Sequence, residues 1–240
     1  MAKVVYWCVP YSKYFLNVEQ PEPLIKELID LKNTVISKAP ESDFIRCPAV
    51  HEHVKNTFII RSPIDLTFFT NGKIVSTKNY DQGIYDELFL LRDVQAGFMS
   101  LRMLYSFFFT EEDCEMTLTG AYLSNNDSSK YFTVIPGTFN IAKWFRGLDF
   151  AFFIRENNKE LTIKRGDPLM YIKFDCKEPI VFKKFVYTKE IDKISEMVLG
   201  QKIFQKDKSI GTYLKNVYNI FIKSKLKNKL LIEIKKNLME

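Results

Sequence analysis

Turn residues cut residues 131–185 into short runs in which apolar and polar side chains alternate, and that period of two predicts strands. Tyr131 to Ile135 is a β-favouring run closed by Pro136-Gly137, a pair suited to a turn because proline presets φ and glycine tolerates positive φ. Phe150 to Arg155, Leu161 to Ile163, Leu169 to Phe174 and Ile180 to Phe185 follow. Polar connections at 156–159, 165–168 and 177–179 separate them. In the run from Leu169 to Phe174, one face carries Met170, Ile172 and Phe174 and is wholly apolar, whereas the other carries Leu169, Tyr171 and Lys173. The connections are too short for crossover helices, so antiparallel pairing is expected.

The same reading extends to the rest of the chain. Val4 to Pro10 predicts an opening strand. Pro21-Glu22-Pro23 then introduces Leu24, Ile25, Leu28, Ile29 and Leu31, whose spacing predicts a short amphipathic packing helix ending near Asn33. Phe44 to Ala49, Thr57 to Arg61, Leu66 to Phe69 and Lys73 to Thr77 predict strands, with a hairpin at Thr70-Asn71-Gly72. Leu88 to Phe109 predicts two buried strands broken near Gln95-Ala96-Gly97. Met116 to Leu123 predicts another strand, and Ser124 to Lys130 a solvent-facing loop.

Beyond Phe185 the period becomes helical. Ile191, Ile194, Met197 and Val198 predict a helix stopping at Gly200. Residues from Tyr213 to Leu238 predict two helical pieces or one bent helix interrupted by the lysine-rich run 223–229. The fold class expected is therefore mainly β, of α+β type: an antiparallel β-sandwich or jelly-roll-like body with a short N-terminal helix and C-terminal helices. The expected organisation is a β-rich body over 1–186 and a basic helical segment over 187–240 packed on it.

Composition adds a large supply of core. The chain of 240 residues is 46% hydrophobic and contains 21 phenylalanines, enough for a thick aromatic core between sheets. Abundant Phe, Ile, Lys, Asn and Tyr together also fit an AT-rich coding sequence. Charge is segregated. Residues 187–240 hold 12 lysines against six acids, which accounts for the whole formal charge of +6 and leaves 23 basic and 23 acidic residues elsewhere. A neutral body with a basic end suits either a local electrostatic partner or a solvated helix surface. Cys8, Cys47, Cys114 and Cys176 lie far apart without a CxxC pair, so free thiols in a reducing compartment are expected. No signal peptide or membrane-span pattern is visible in the sequence.

Candidate chemistry is sparse. His51 and His53 are the only histidines, and on a strand both imidazoles would face one side, as a β-scaffold iron, manganese or zinc site requires. Further ligands would have to be carboxylates such as Asp65, Asp149 or Asp167. A surface loop is the plainer reading of the pair. Cys47 lies four residues before His51, so a Cys-His arrangement or an ordinary small core thiol could stand there. The sequence shows no phosphate-binding glycine loop, nucleophile elbow or HExxH helix. Around Lys143-Trp144-Phe145-Arg146, Trp144 and Arg146 could stack on and clamp a nucleic acid or anchor a subunit contact. Lys225, Lys227 and Lys229 could meet phosphate or an acidic protein surface.

Two resemblances add to this picture. Gly166-Asp167 before an apolar strand, with Pro136-Gly137, resembles a turn of dUTPase-like and cupin-type β folds, but Pro168 and Leu169 stand where a working dUTPase-like site carries an arginine. Arg46-Cys47-Pro48-Ala49, Asn56-Thr57-Phe58 through Arg61-Ser62-Pro63, Ile135-Pro136-Gly137 and Lys164-Arg165-Gly166-Asp167-Pro168 together resemble an uncharacterised protein family of tailed bacteriophages of the marine T4-like kind, over roughly residues 40–180 of this sequence. That resemblance implies a viral source and location in the host cytoplasm or the virion.

The expected function is a non-enzymatic phage structural or interaction protein without a cofactor, with a protein partner or a homo-oligomer. The alternatives are a metal-dependent enzyme on a cupin-like scaffold centred on His51 and His53, and a nucleic-acid-binding accessory protein using Trp144, Arg146 and the C-terminal lysines.

Overall fold

The computed structural model describes residues 2–10, 18–31, 33, 47–70, 75–78, 83, 89–93, 98–101, 106–148, 150–155, 159–200 and 210–239. Strand outweighs helix, 38% to 31%, so the chain is mainly β. The strands are β1 (Lys3–Cys8), β2 (Glu22–Pro23), β3 (Thr57–Arg61), β4 (Leu66–Thr70), β5 (Val75–Thr77), β6 (Phe89–Asp93), β7 (Phe98–Leu101), β8 (Phe107–Phe109), β9 (Glu115–Gly120), β10 (Phe132–Val134), β11 (Gly137–Asn140), β12 (Phe150–Ile154), β13 (Lys159–Ile163), β14 (Pro168–Asp175) and β15 (Ile180–Lys184). The helices are α1 (Leu24–Leu31), α2 (Pro48–Val54), α3 (Asp127–Tyr131), α4 (Lys189–Gly200), α5 (Ile210–Lys223) and α6 (Leu226–Lys236).

Over the described residues, four sheets surround a central core, in the strand orders β11-β9-β14-β3-β2, β10-β12-β7-β6, β13-β4-β5 and β15-β1-β8. Residues from all four meet there, including Trp7, Phe58, Phe68, Phe108, Phe152 and Phe174. The rings pack edge to face or offset, as their quadrupoles favour; Phe132 and Phe152, for example, stack at 4.3 Å. The result is a sandwich-like body whose sheets, over the described residues, do not close into a barrel.

The strands from β10 to β14 pair antiparallel as expected, mostly with partners outside 131–185. β12 pairs with β7 and β10, β13 with β4, and β14 with β3 and β9. β15 runs parallel to β1, with Val5 opposite Phe182. The expectation of wholly antiparallel pairing fails at that edge because the crossover is nearly the entire chain, which short local connections could not reveal. Pro136-Gly137 consequently carries the chain from one sheet to another.

The hairpin between β4 and β5 is present, pairing Thr70 with Val75, although its turn at 71–74 lies outside the described residues. The described residues of 88–109 hold three strands rather than two, since Phe107–Phe109 pairs separately with β1; the break expected near Gln95-Ala96-Gly97 lies outside the described residues. In β14 both faces are covered, and a register shift between Pro168 and Met170 lets Leu169 and Met170 enter the same core. A bulge of this kind re-aims side chains that strict alternation would separate.

Two helices replace other expected elements. Where a strand was expected to reach Ala49, α2 begins with Pro48 in its first turn and Cys47 as its N-cap. Proline fits there because its missing N–H would lack an intrahelical acceptor in any case. Residues 44–46 of that expected strand lie outside the described ones. In the polar stretch after β9, Asn126 caps α3 by accepting from Ser129 N at 2.9 Å, and Ser128 is buried. Asn and Ser therefore start a helix here instead of filling a solvent loop.

In the β15-β1-β8 sheet, β8 and most of β1 are buried on both faces, whereas β15 is partly exposed. Val5, Trp7 and Phe108 enter the central core, whereas Tyr6, Cys8, Phe107 and Phe109 face a second core supplied by the C-terminal helices. Ile191, Ile194, Val217, Phe221, Leu230 and Ile234 complete that second core. α5 and α6 are separate helices, with Lys225 in a left-handed conformation at their junction.

Candidate functional site

A group of proton-holding side chains forms where α1 and α2 cover the outer face of β3 and β14. Leu24, Leu28, Val54, Ile59 and Ala121 make the apolar floor beside Tyr171. Tyr171 OH donates to Glu27 Oε2 at 2.7 Å. Nearby, His53 Nε2 and Tyr122 OH share a 2.6 Å hydrogen bond. The two pairs meet through the tyrosine rings, whose centroids lie 5.0 Å apart at 86°.

Burial sets the protonation of this group. It raises the Glu27 carboxyl, while Tyr171 and Arg61 pull it back and Asp30 adds to the rise. Burial likewise raises the Tyr171 and Tyr122 hydroxyls, with Glu27 adding to both effects. Both tyrosines are neutral at ordinary pH. An edge-on ring contact carries no proton, so the two bonds do not make a continuous relay; one fastens α1 to β14 and the other fastens α2 to the turn after β9.

Next to this group is a cleft of about 250 Å³, lined in part by Glu19, Arg61, Ser62, Ser106, Arg165 and Gly166. Arg61 is already engaged. Its guanidinium bonds Glu22 Oε2 through Nε at 3.2 Å and the Gly166 carbonyl at 3.0 Å. Gly166 has φ +88°, a conformation glycine takes without steric penalty. The flanking carboxylates hold turns: Asp167 Oδ2 accepts from Lys164 N at 2.8 Å and Asp65 Oδ1 from Arg165 N at 2.9 Å. Asp149 lies outside the described residues.

His51 and His53 occupy a helix, not a strand. Residues two apart on a helix diverge by about 200°, so the same-side pair expected for a metal scaffold does not form. No group of three or more His, Cys, Asp or Glu suited to an ion occurs among the described residues. Cys47 meets His51 through the backbone, its carbonyl accepting from His51 N at 3.1 Å.

Trp144 is 8% exposed and belongs to the second core. Arg146 Cζ lies 4.8 Å from its ring centroid, and Lys143 pairs with Asp113. Trp144 and Arg146 thus make a packing and cation–π contact with each other.

The C-terminal lysines diverge in role. Lys227 Nζ donates to the Glu111 carbonyl at 2.7 Å, whereas Lys225 and Lys229 are exposed. Glu111 was missed in the sequence, although the acidic run Glu111-Glu112-Asp113 was its signal. Its carboxylate receives Tyr6 OH at 2.9 Å and pairs with Lys235 at 3.0 Å. Burial works to raise the Glu111 carboxyl, but those hydrogen bonds and the Lys235 and Lys227 charges outweigh it and hold it below the usual carboxylate range.

A different surface stays open. Val186 N donates to the Asn237 carbonyl and Met239 N to the Lys184 carbonyl, each at 2.9 Å, around the paired Phe185 and Leu238. Antiparallel alternation puts Val186 and Met239 on the face opposite Phe185. Phe185 is buried, while Val186 and Met239 are each 50% exposed. Met197 on α4 and Ile232 on α6 are also exposed.

No helix among the described residues is long and apolar enough to cross a membrane. No protein-family model, curated protein or solved structure matches this chain.

Proposed function

We propose that this chain is a non-enzymatic structural protein that works by binding other protein surfaces, including further copies of itself, through its C-terminal edge and helices. The observation carrying this reading is the half-exposed pair Val186 and Met239, held on one face by backbone hydrogen bonds. Exposed apolar groups on an ordered backbone are a feature of interaction surfaces. Exposed lysines on the neighbouring helices give that region a polar rim.

Charge segregation favours a head-to-tail contact. Two basic C-terminal segments repel when they face one another, whereas one such segment meets no net repulsion on the neutral body of a second copy. Head-to-tail contacts build rings or filaments, which suits a structural component. The motif resemblance to tailed-phage proteins supports a viral source, with the virion or host cytoplasm as its place of action. Packing of Trp144 and the tie from Lys227 to Glu111 support this reading over a nucleic-acid-binding one.

Sedimentation over a concentration series tests the proposal. Wild-type protein should form species larger than a dimer, and Val186→Glu with Met239→Glu should return it to monomer with its circular dichroism unchanged. A wild-type protein that stays monomeric throughout would count against the reading.

A further inference from the structure

We propose that Cys114 and Cys176 form a modification site at which a cross-strand disulfide closes when the folded protein meets a small-molecule disulfide. The site is built by strand register. Asp175 of β14 faces Glu115 of β9 as the last pair of their antiparallel ladder, and the next residues out, Cys176 and Cys114, are in side-chain hydrogen-bond contact with each other. Residues directly opposed in such a ladder have Cα atoms about 4.5–5.5 Å apart, inside the range of about 4.4–6.8 Å that a disulfide spans. Cys114 is buried in the central core and Cys176 packs against that core while keeping part of its surface open.

The surroundings hold the pair in place. Asn56 Nδ2 donates to the Cys176 carbonyl at 2.8 Å and to its Sγ at 3.4 Å. Cys176 Sγ donates to the Glu178 carbonyl at 3.4 Å. On the other strand, Lys3 Nζ donates to the Asp113 carbonyl at 3.2 Å, bringing its charge beside both thiols. Burial, then the neighbouring Cys176, pushes the Cys114 thiol up to about 12, with Lys3 opposing. Burial raises Cys176 too, again against Lys3.

The exchange needs only an oxidised dithiol such as glutathione disulfide. Cys176 loses its proton to solvent, and its thiolate attacks one glutathione sulfur, breaking that disulfide and releasing one glutathione thiolate. Cys114 then loses its proton and attacks the Cys176 sulfur, forming the protein disulfide and expelling the second glutathione. Two protein thiols are oxidised, and one glutathione disulfide is reduced to two glutathiones. Because both thiols are weak acids, closure is slow near neutrality and accelerates with pH. Each sulfur is also a poor leaving group, so the finished bond resists thiol attack.

The test uses the full chain carrying Cys47→Ser, which removes the exposed competing thiol, incubated with oxidised glutathione while folded. Non-reducing peptide mapping should find Cys114 joined to Cys176, with a rise in Tm on the order of 10 °C for so long a closed loop, reversed by dithiothreitol. Adding Cys176→Ser should abolish both effects, whereas adding Cys114→Ala should leave one glutathione held on Cys176. If Cys114 and Cys176 both remain free to react with maleimide after oxidation and unfolding, or if Cys8 is the partner found, the assignment is wrong.

Discussion

The Tyr171 hydroxyl donates a 2.7 Å hydrogen bond to Glu27 Oε2, tying the middle of β14 to α1 across 144 positions of sequence. Tyr171→Phe removes the donor and leaves a half-buried carboxylate without it, which should lower unfolding stability by about 1–2 kcal/mol in urea titration.

Glu27 also predicts a pH dependence. A carboxyl raised in the folded state keeps its proton where the unfolded chain has lost it. Its stabilising contribution is complete below the ordinary value of 4.5 and fades as pH climbs through the raised folded value. Glu27→Gln retains an acceptor for Tyr171 without the titration, so its stability curve should be flatter above pH 4.5 than that of the wild type. Equal slopes would remove Glu27 as the source.

Among the described residues, two that are not glycine adopt positive φ for different reasons, and glycine should separate them. Lys225 has φ 61° at the junction of α5 and α6. Lys225→Gly relieves a left-handed penalty of about 1 kcal/mol and should raise Tm slightly. Asn56, at φ 52°, donates to the carbonyls of Cys176 and Glu178. Asn56→Gly relieves the backbone but loses both bonds and should destabilise the fold by about 1–2 kcal/mol, read by thermal melting.

The C-terminal helices complete a core, so removing them should not leave a folded β body. A chain ending at residue 186 would bare Tyr6, Cys8, Phe107 and Phe109, and should express as aggregate or bind a hydrophobic dye strongly. Leu230→Ala in the full chain should cost about 2–5 kcal/mol by the same packing.

The two histidines should behave unequally. His53→Ala removes the partner of Tyr122 and should cost up to about 1 kcal/mol, whereas His51→Ala on the exposed face of α2 should leave the melting curve unchanged. Comparable losses from both would point to a shared role that their positions on the helix do not provide.

Much of the β pattern was legible because alternation survives in β12, β13 and β14, and the helix over 24–31 followed from its proline-led apolar stripe. Pairing was not legible: β15 finds β1 across the whole chain, and nothing local encodes that choice. Pro48 lies inside the strand expected over Phe44 to Ala49, yet it opens α2, because a proline in the first turn lacks only an N–H that has no acceptor there. Of the candidate site, His53 was visible, but Tyr122, Tyr171 and Glu27 converge only through tertiary structure. Trp144 and Arg146 stand two apart in the sequence, yet only packing shows that they contact each other.

Sedimentation velocity at rising protein concentration, comparing wild type with the Val186→Glu and Met239→Glu double variant, tests the proposed role most directly. The account predicts concentration-dependent species beyond a dimer for the wild type and a folded monomer for the variant. A wild type that remains a monomer, or a variant that assembles equally well, would contradict it.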